Sequence, residues 1–227
     1  MVTPWKWISG RLCLDFVNTV GGWVSGDGRR GRDYADTALR DKLPCYKDLL
    51  AWAECAGALT GSKSRQLKLR ALSDPSAAAS ALAAAAELRL ALYRIFKAVV
   101  ESWTPLPVDM EVLRRNLSAA RAHQRLLRAG GAFLWGWEDS GLILERVVWP
   151  VALSAAELLT SEDLRMIRQC GGDACGWMFL DTSRNHSRQW CNMRECGNRA
   201  KARRFRERAR QVRLSPSSLS RIKPRRP

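Results

Sequence analysis

Cys170-Gly171-Gly172-Asp173-Ala174-Cys175 and Cys191-Asn192-Met193-Arg194-Glu195-Cys196 are two cysteine pairs, each enclosing four residues, with fifteen residues between them. Thiolates are soft ligands that select zinc, and four of them close a tetrahedron that leaves no position for substrate. The pattern points to one structural Zn²⁺ held by Cys170, Cys175, Cys191 and Cys196. Gly171 and Gly172 allow a tight turn between the first two ligands. Trp177 to Leu180 is an apolar run of strand length, Asp181 to Ser187 is rich in turn residues, and Arg188-Gln189-Trp190 can return as the partner strand. From Asn198 to Arg210 the residues are mostly good helix formers. Knuckle, hairpin and ligands at the start of a helix describe a treble-clef-like finger. Redox disulfides or four unrelated buried cysteines are the alternatives, and a paired spacing with a glycine-rich knuckle favours zinc over both. His186 falls on the predicted turn and is read as facing solvent or DNA.

The charge collects around this stretch. Residues 165–227 carry 17 Lys and Arg against 4 Asp and Glu, net +13, whereas residues 1–164 carry 21 against 18, net +3. Such a cationic block is the footprint of a polyanion partner. On the helix after Cys196, Ala202, Phe205, Ala209 and Val212 form an apolar stripe expected to pack on Trp177 or Phe179. Arg199, Arg203, Arg206 and Arg210 share one adjoining face, and Lys201, Arg204 and Arg208 share another. Guanidinium forks match phosphate oxygens and the O6/N7 edge of guanine, so the helix, with Asn198 at its start, suits double-stranded DNA. Arg184, Asn185, His186 and Arg188 on the turn would flank it as a second contact surface.

Cys175-Gly176-Trp177, Phe179 to Asn185, Arg188 to Met193 and Cys196-Gly197-Asn198-Arg199-Ala200-Lys201 closely resemble the CGNR zinc-finger family, named for the motif at Cys196 to Arg199. Gly10-Arg11-Leu12-Cys13-Leu14-Asp15-Phe16-Val17-Asn18-Thr19 resembles the opening of the ABATE domain, the usual N-terminal partner of that finger. The resemblance implies a bacterial, stress-responsive transcription regulator.

Towards the N-terminus the pattern is helical. The overall expectation is a mainly α protein with a small β-hairpin: a helical sensor domain over residues 1–163, the finger over 164–213, and a basic disordered tail over 214–227. Leu12, Phe16 and Thr19 fall at helical spacing, with Asp15 and Asn18 on a neighbouring face. A carboxylate and an amide in an apolar helix either tie it to a nearby loop or face a ligand. The glycine-rich run Gly21 to Gly31 reads as a mobile loop without the ending of a phosphate-binding loop. Pro44 suits the first turn of a helix that stops at Gly57 or Gly61, and a long helix is expected from about Ser76 to Trp103, with Leu88, Leu92, Ile95, Phe96, Val99 and Trp103 on its apolar stripe. Asp109 can cap the next helix, which carries Arg121, His123 and Arg125 on a wet face.

After Gly130-Gly131, Ala132 to Trp137 and Leu142 to Trp149 read as the two strands of a hairpin turning at Glu138 to Gly141. Trp135, Trp137 and Trp149 would share it, either as core or, with Asp15 and Asn18, as the walls of a small-molecule effector site. Cys13, Cys45 and Cys55 lie among apolar or small residues and read as buried thiols. The start of the chain lacks the features of a secretory signal, and no segment reaches the length of a membrane span, so a cytoplasmic location is expected. Nothing resembles a nucleophile elbow, an open metal site or a histidine pair, which argues against an enzyme. RNA is the competing partner, and stacking aromatics exposed on the finger would favour it. A related reading drops sensing and makes the N-terminal domain a dimerisation or partner-binding platform; a homodimer suits paired half-sites, but no heptad marks an interface.

Overall fold

The computed structural model describes residues 5–24, 37–138, 143–173 and 175–214. The tail beyond Leu214 and most of the glycine-rich loop lie outside them, although Gly21 and Gly22 fall in a strand. The described residues form seven α-helices and three two-stranded antiparallel sheets.

Helix α1 (Leu12–Val17) leads into the β1–β2 ribbon (Val20–Val24 and Thr37–Asp41). Then come α2 (Tyr46–Cys55), α3 (Gly61–Ser73), and α4 (Pro75–Val100), the long alanine-rich helix. Asp74 caps α4 by accepting from the Ala77 amide at 3.0 Å, and Pro75 occupies the first turn, where its missing N–H costs nothing. Leu88, Leu92, Ile95 and Phe96 are fully buried, which makes α4 the axis of the core. It ends three residues earlier than expected: Ser102 has a φ of 59°, and Trp103, expected on the buried stripe, is 39% exposed.

Helix α5 (Pro107–His123) starts at its proline, so Asp109 lies inside the first turn and caps nothing. It is buried and paired with Arg94 at 3.6 Å. The hairpin expectation is corrected. Strand β3 (Gln124–Ala129), read as the tail of a helix, pairs with β4 (Ala132–Trp137). Gly130 and Gly131, both at positive φ (54° and 92°), form the two-residue turn that right-handed strand twist prefers. Leu144 to Val148, read as the second strand, is a 3₁₀ turn that buries Leu144, Val147 and Val148 and runs into α6 (Trp149–Leu159). Buried residues three and four apart belong to a helical period, and Pro150 fits the start of α6.

The finger's sheet is likewise not the expected one. Strand β6 (Met178–Leu180) pairs with β5 (Ile167–Gln169), placing Ile167 opposite Leu180 and Gln169 opposite Met178. Arg188 to Trp190 forms no strand. Helix α7 (Asn198–Leu214) follows a π-helical turn at Met193–Gly197. Met178 and Phe179 belong to the same hydrophobic core as Phe16, Leu92 and Phe96, so the boundary drawn at residue 163 does not separate two cores.

Candidate zinc centre and nucleic-acid interface

The β5–β6 hairpin carries the knuckle. The Cys170 amide donates to the Trp177 carbonyl at 2.8 Å, and the Cys175 amide to Gly172 at 3.1 Å, so the turn presents both sulfurs on one side. Gly176 has a φ of 65°, a value that suits glycine. All four cysteines are buried, and their Sγ atoms lie within 4.8 Å of one another. The Cys175–Cys191 and Cys191–Cys196 separations are 3.7 and 3.5 Å. A Zn–S length of about 2.3 Å gives a tetrahedral S···S edge of about 3.8 Å, so the cluster fits the ion. A Cβ at Gly172 would stand 3.1 Å from Cys196 Sγ, which explains glycine there.

The donor set also calls for a cation. Hydrogen bonds from the Cys175 and Cys191 thiols hold the Cys170 pKa well below the ordinary thiol value, and donating to it pushes Cys175 and Cys191 up. Thiols this close resist ionising together unless a divalent ion neutralises them. Two N–H groups already point at sulfur: the Cys191 amide at Cys170 Sγ, 3.3 Å, and Arg199 Nη2 at Cys196 Sγ, 3.2 Å.

The loop between the ligand pairs is built on Asp181. Its carboxylate accepts from Ser183 N at 3.0 Å, Ser183 Oγ at 2.5 Å and Arg188 N at 2.9 Å. Burial works against ionisation, but these donors outweigh it and hold the Asp181 pKa below the ordinary carboxylate range. His186, at a φ of 46°, has Nδ1 3.0 Å from the Asp181 carbonyl and is exposed. The Arg188 guanidinium donates to the Trp190 and Cys191 carbonyls at 3.0 and 2.5 Å and lies 4.2 Å over the Phe179 ring. Arg184 and Asn185 stand exposed at the tip.

Helix α7 is where the candidate contacts divide. Asn198 donates to the Arg194 carbonyl at 3.1 Å, Arg199 backs the Cys196 sulfur, and Arg203 pairs with Asp173 of the knuckle. Arg199 and Arg203 brace the helix against the zinc site, and the Asn198 bond is local to the helix start. Lys201, Arg204, Arg206, Arg208 and Arg210 are exposed. The expected apolar packing of this helix is not observed: Phe205 is 74% exposed, while Phe179 is buried in the main core and Trp177 donates from Nε1 to the Val20 carbonyl at 2.7 Å. Arg194, just before the fourth cysteine, is an exposed cation that the sequence reading passed over because it precedes the helix.

The five residues read as an effector set do not form one site, although Trp137 and Trp149 meet. Asn18 donates to the Met178 carbonyl at 2.7 Å and accepts from the Met178 amide at 2.9 Å, and Asp15 accepts from Ser9 N at 3.3 Å. Trp149 is buried on α6 in a separate small cluster, stacked on His123 at 4.6 Å and beside Trp137 at 5.4 Å, and Trp135 is 64% exposed on the hairpin. A cavity of about 400 Å³ lies elsewhere, between α2, α3 and α4, walled by Tyr46, Leu50, Leu72 and Ala78, with Lys47 and Lys68 at its edge. Cys13 is buried, and burial pushes its thiol up to about 12, but Cys45 and Cys55 are exposed, contrary to the reading of all three as buried.

No helix of the described residues is long and apolar enough to cross a membrane. A comparison with curated proteins gives no match. A family model for the CGNR zinc finger matches residues 166–209, and with it the cysteine cluster is assigned as the site of one structural zinc ion. A second model, ABATE, described as "Putative stress-induced transcription regulator", matches residues 10–162. With two thirds of its length matched by that model, the chain belongs to the ABATE family and carries a CGNR zinc finger after the family domain.

Proposed function

We propose that the chain is a zinc-dependent, DNA-binding transcription regulator whose N-terminal domain senses a small molecule. The observation that carries the DNA reading is helix α7, which has eight Lys and Arg against one Glu, and whose Lys201, Arg204, Arg206, Arg208 and Arg210 side chains are exposed. Its first two turns are fixed to the zinc site by Arg199 and Arg203. A rigid cationic helix can register on phosphates and present Arg forks to base edges, and a basic tail adds phosphate contacts. The sensing reading draws on the apolar cavity between α2 and α4, whose size suits a small organic ligand. A homodimer on paired half-sites completes the proposal.

Selection from a random duplex pool with zinc-loaded protein, with chelated protein in parallel, tests the reading. A recovered motif that vanishes on chelation is expected. Salt-sensitive binding to every duplex alike would sink the claim of sequence reading. Phe205 favours a second reading, single-stranded RNA, because an exposed aromatic among arginines can stack a base. A single-stranded RNA pool run beside the duplex pool decides between them.

A further inference from the structure

The β3–β4 hairpin exposes Leu126 (57%), Leu127 (42%), Phe133 (68%), Leu134 (47%) and Trp135 (64%). The register puts Leu126, Phe133 and Trp135 on one face and Leu127 and Leu134 on the other, so both faces of the ribbon are apolar and wet. The base is anchored: Trp137 packs on Trp149, Glu138 N donates to the His123 carbonyl at 2.8 Å, and Arg125 pairs with Glu138. An isolated two-stranded ribbon is marginal in water, and monomers rarely leave a contiguous apolar patch of this kind bare.

The two edges differ. Strand β3 carries Arg125 and Arg128, the charges with which proteins blunt an edge, whereas β4 (Ala-Phe-Leu-Trp-Gly-Trp) has no charge and no proline. Left open, such a strand is a template for pairing. We infer that two copies of the chain associate through β4, pairing antiparallel edge to edge so that the two hairpins form one four-stranded sheet.

Three observations select a second copy as the occupant. A strand paired antiparallel with itself is related to its partner by a two-fold axis, so the assembly closes at a dimer. The chain carries a net charge of +16, and copies repel except where charge is absent, as it is on β4. Pairing also sets the uncharged, exposed Phe133, Leu134 and Trp135 of one copy beside those of the other, so apolar cross-strand contacts on both faces add to the backbone hydrogen bonds of the new strand pair. The inference supplies the dimer of the proposed regulator and rests on that reading for its purpose. Association is measured without DNA, so the two stand or fall separately.

Sedimentation velocity of zinc-loaded, full-length protein from low to high micromolar should show a species of twice the 25.5 kDa chain. Leu134→Lys, which sets like charges across the two-fold, should weaken dimerisation by about a hundredfold or more with unchanged far-ultraviolet circular dichroism. Trp135→Thr, which keeps strand propensity, should weaken it less, and Phe205→Ala on α7 should leave it unchanged. Hydrogen exchange should show β4 amides that gain protection as concentration rises. A wild-type monomer throughout overturns the inference, as does a dimer indifferent to both hairpin variants or one whose β4 amides stay unprotected.

Discussion

At the scale of single residues, Asn18 does what a neighbouring strand would do: its amide exchanges two hydrogen bonds with the Met178 backbone, inside a site that is 3% exposed. Removing the amide leaves a buried N–H and a buried C=O without partners, and each such loss costs about 1–3 kcal/mol. Asn18→Ala should therefore destabilise the protein by about 2–4 kcal/mol in a denaturant titration. Asn18→Asp should be no better, since a carboxylate can accept from the Met178 amide but cannot donate to its carbonyl. Asp15, one turn earlier, behaves differently. Burial raises its pKa, against the opposing pull of the Ser9 hydroxyl and amide. A carboxyl whose folded pKa lies above its unfolded value stabilises the fold below the unfolded pKa and loses that contribution as pH rises through the folded one. Asp15→Asn, which does not titrate, should thus gain on wild type as pH rises through the acid range and hold a constant advantage at neutral pH. An advantage that grew towards acid would reverse the sign and refute the burial argument. Sequence spacing placed both groups on one helix face but could not tell a tie from a ligand contact, because the partner Met178 is 160 residues away.

At the scale of elements, the faces of α7 have different duties. Arg199 and Arg203 hold sulfur and Asp173, whereas Lys201, Arg204 and Arg208 are exposed. If the latter meet DNA phosphates, each alanine substitution should lower the magnitude of the log–log salt slope of binding by about 0.9 without changing the melting temperature. Arg203→Ala should instead lower zinc retention in a chelator competition, because it frees α7 from the knuckle. Equal effects of all four substitutions on the slope would mean that the division is wrong. The helix itself was legible from propensity and from ligand position. Its packing was not, because an apolar stripe of Ala202, Phe205 and Ala209 looks the same whether it faces a core or solvent. The same ambiguity moved the hairpin. Gln124 to Ala129 carries Arg and Leu that suit a helix end, and the decisive signal was the Gly130-Gly131 pair, read as a boundary when it was the turn.

At the scale of the whole molecule, the finger shares a core with the family domain, and this changes what zinc removal should do. A free-standing finger of about 50 residues has too little apolar interior to fold without metal. Here β5 and β6 are secured independently of the sulfurs: Leu180 N donates to the Ser9 carbonyl at 2.9 Å, Asp181 N to the Met166 carbonyl at 2.8 Å, and Gln169 Nε2 to the Tyr93 hydroxyl of α4 at 3.1 Å, around a fully buried Phe179. Cys191, the π-helical turn and α7 are held more lightly, by the Lys6–Glu195 and Arg203–Asp173 ion pairs and the Arg188 bond to the Cys191 carbonyl, and among their described residues only Cys191, Cys196, Gly197 and Ala200 are buried. Zinc is therefore expected to join a half that folds without it to a half that does not. Chelation should remove the ellipticity of about one 17-residue helix, leave the β5–β6 amides protected from exchange, and keep a cooperative thermal transition for the remainder. The zinc-loaded protein should melt higher than the chelated one, by an amount that grows with free zinc. Collapse of protection across α4 and β6 on chelation would place the metal at the centre of the core. Retention of α7 protection without metal would show that the helix needs no such anchor, and with it the proposed zinc dependence of DNA binding would fall.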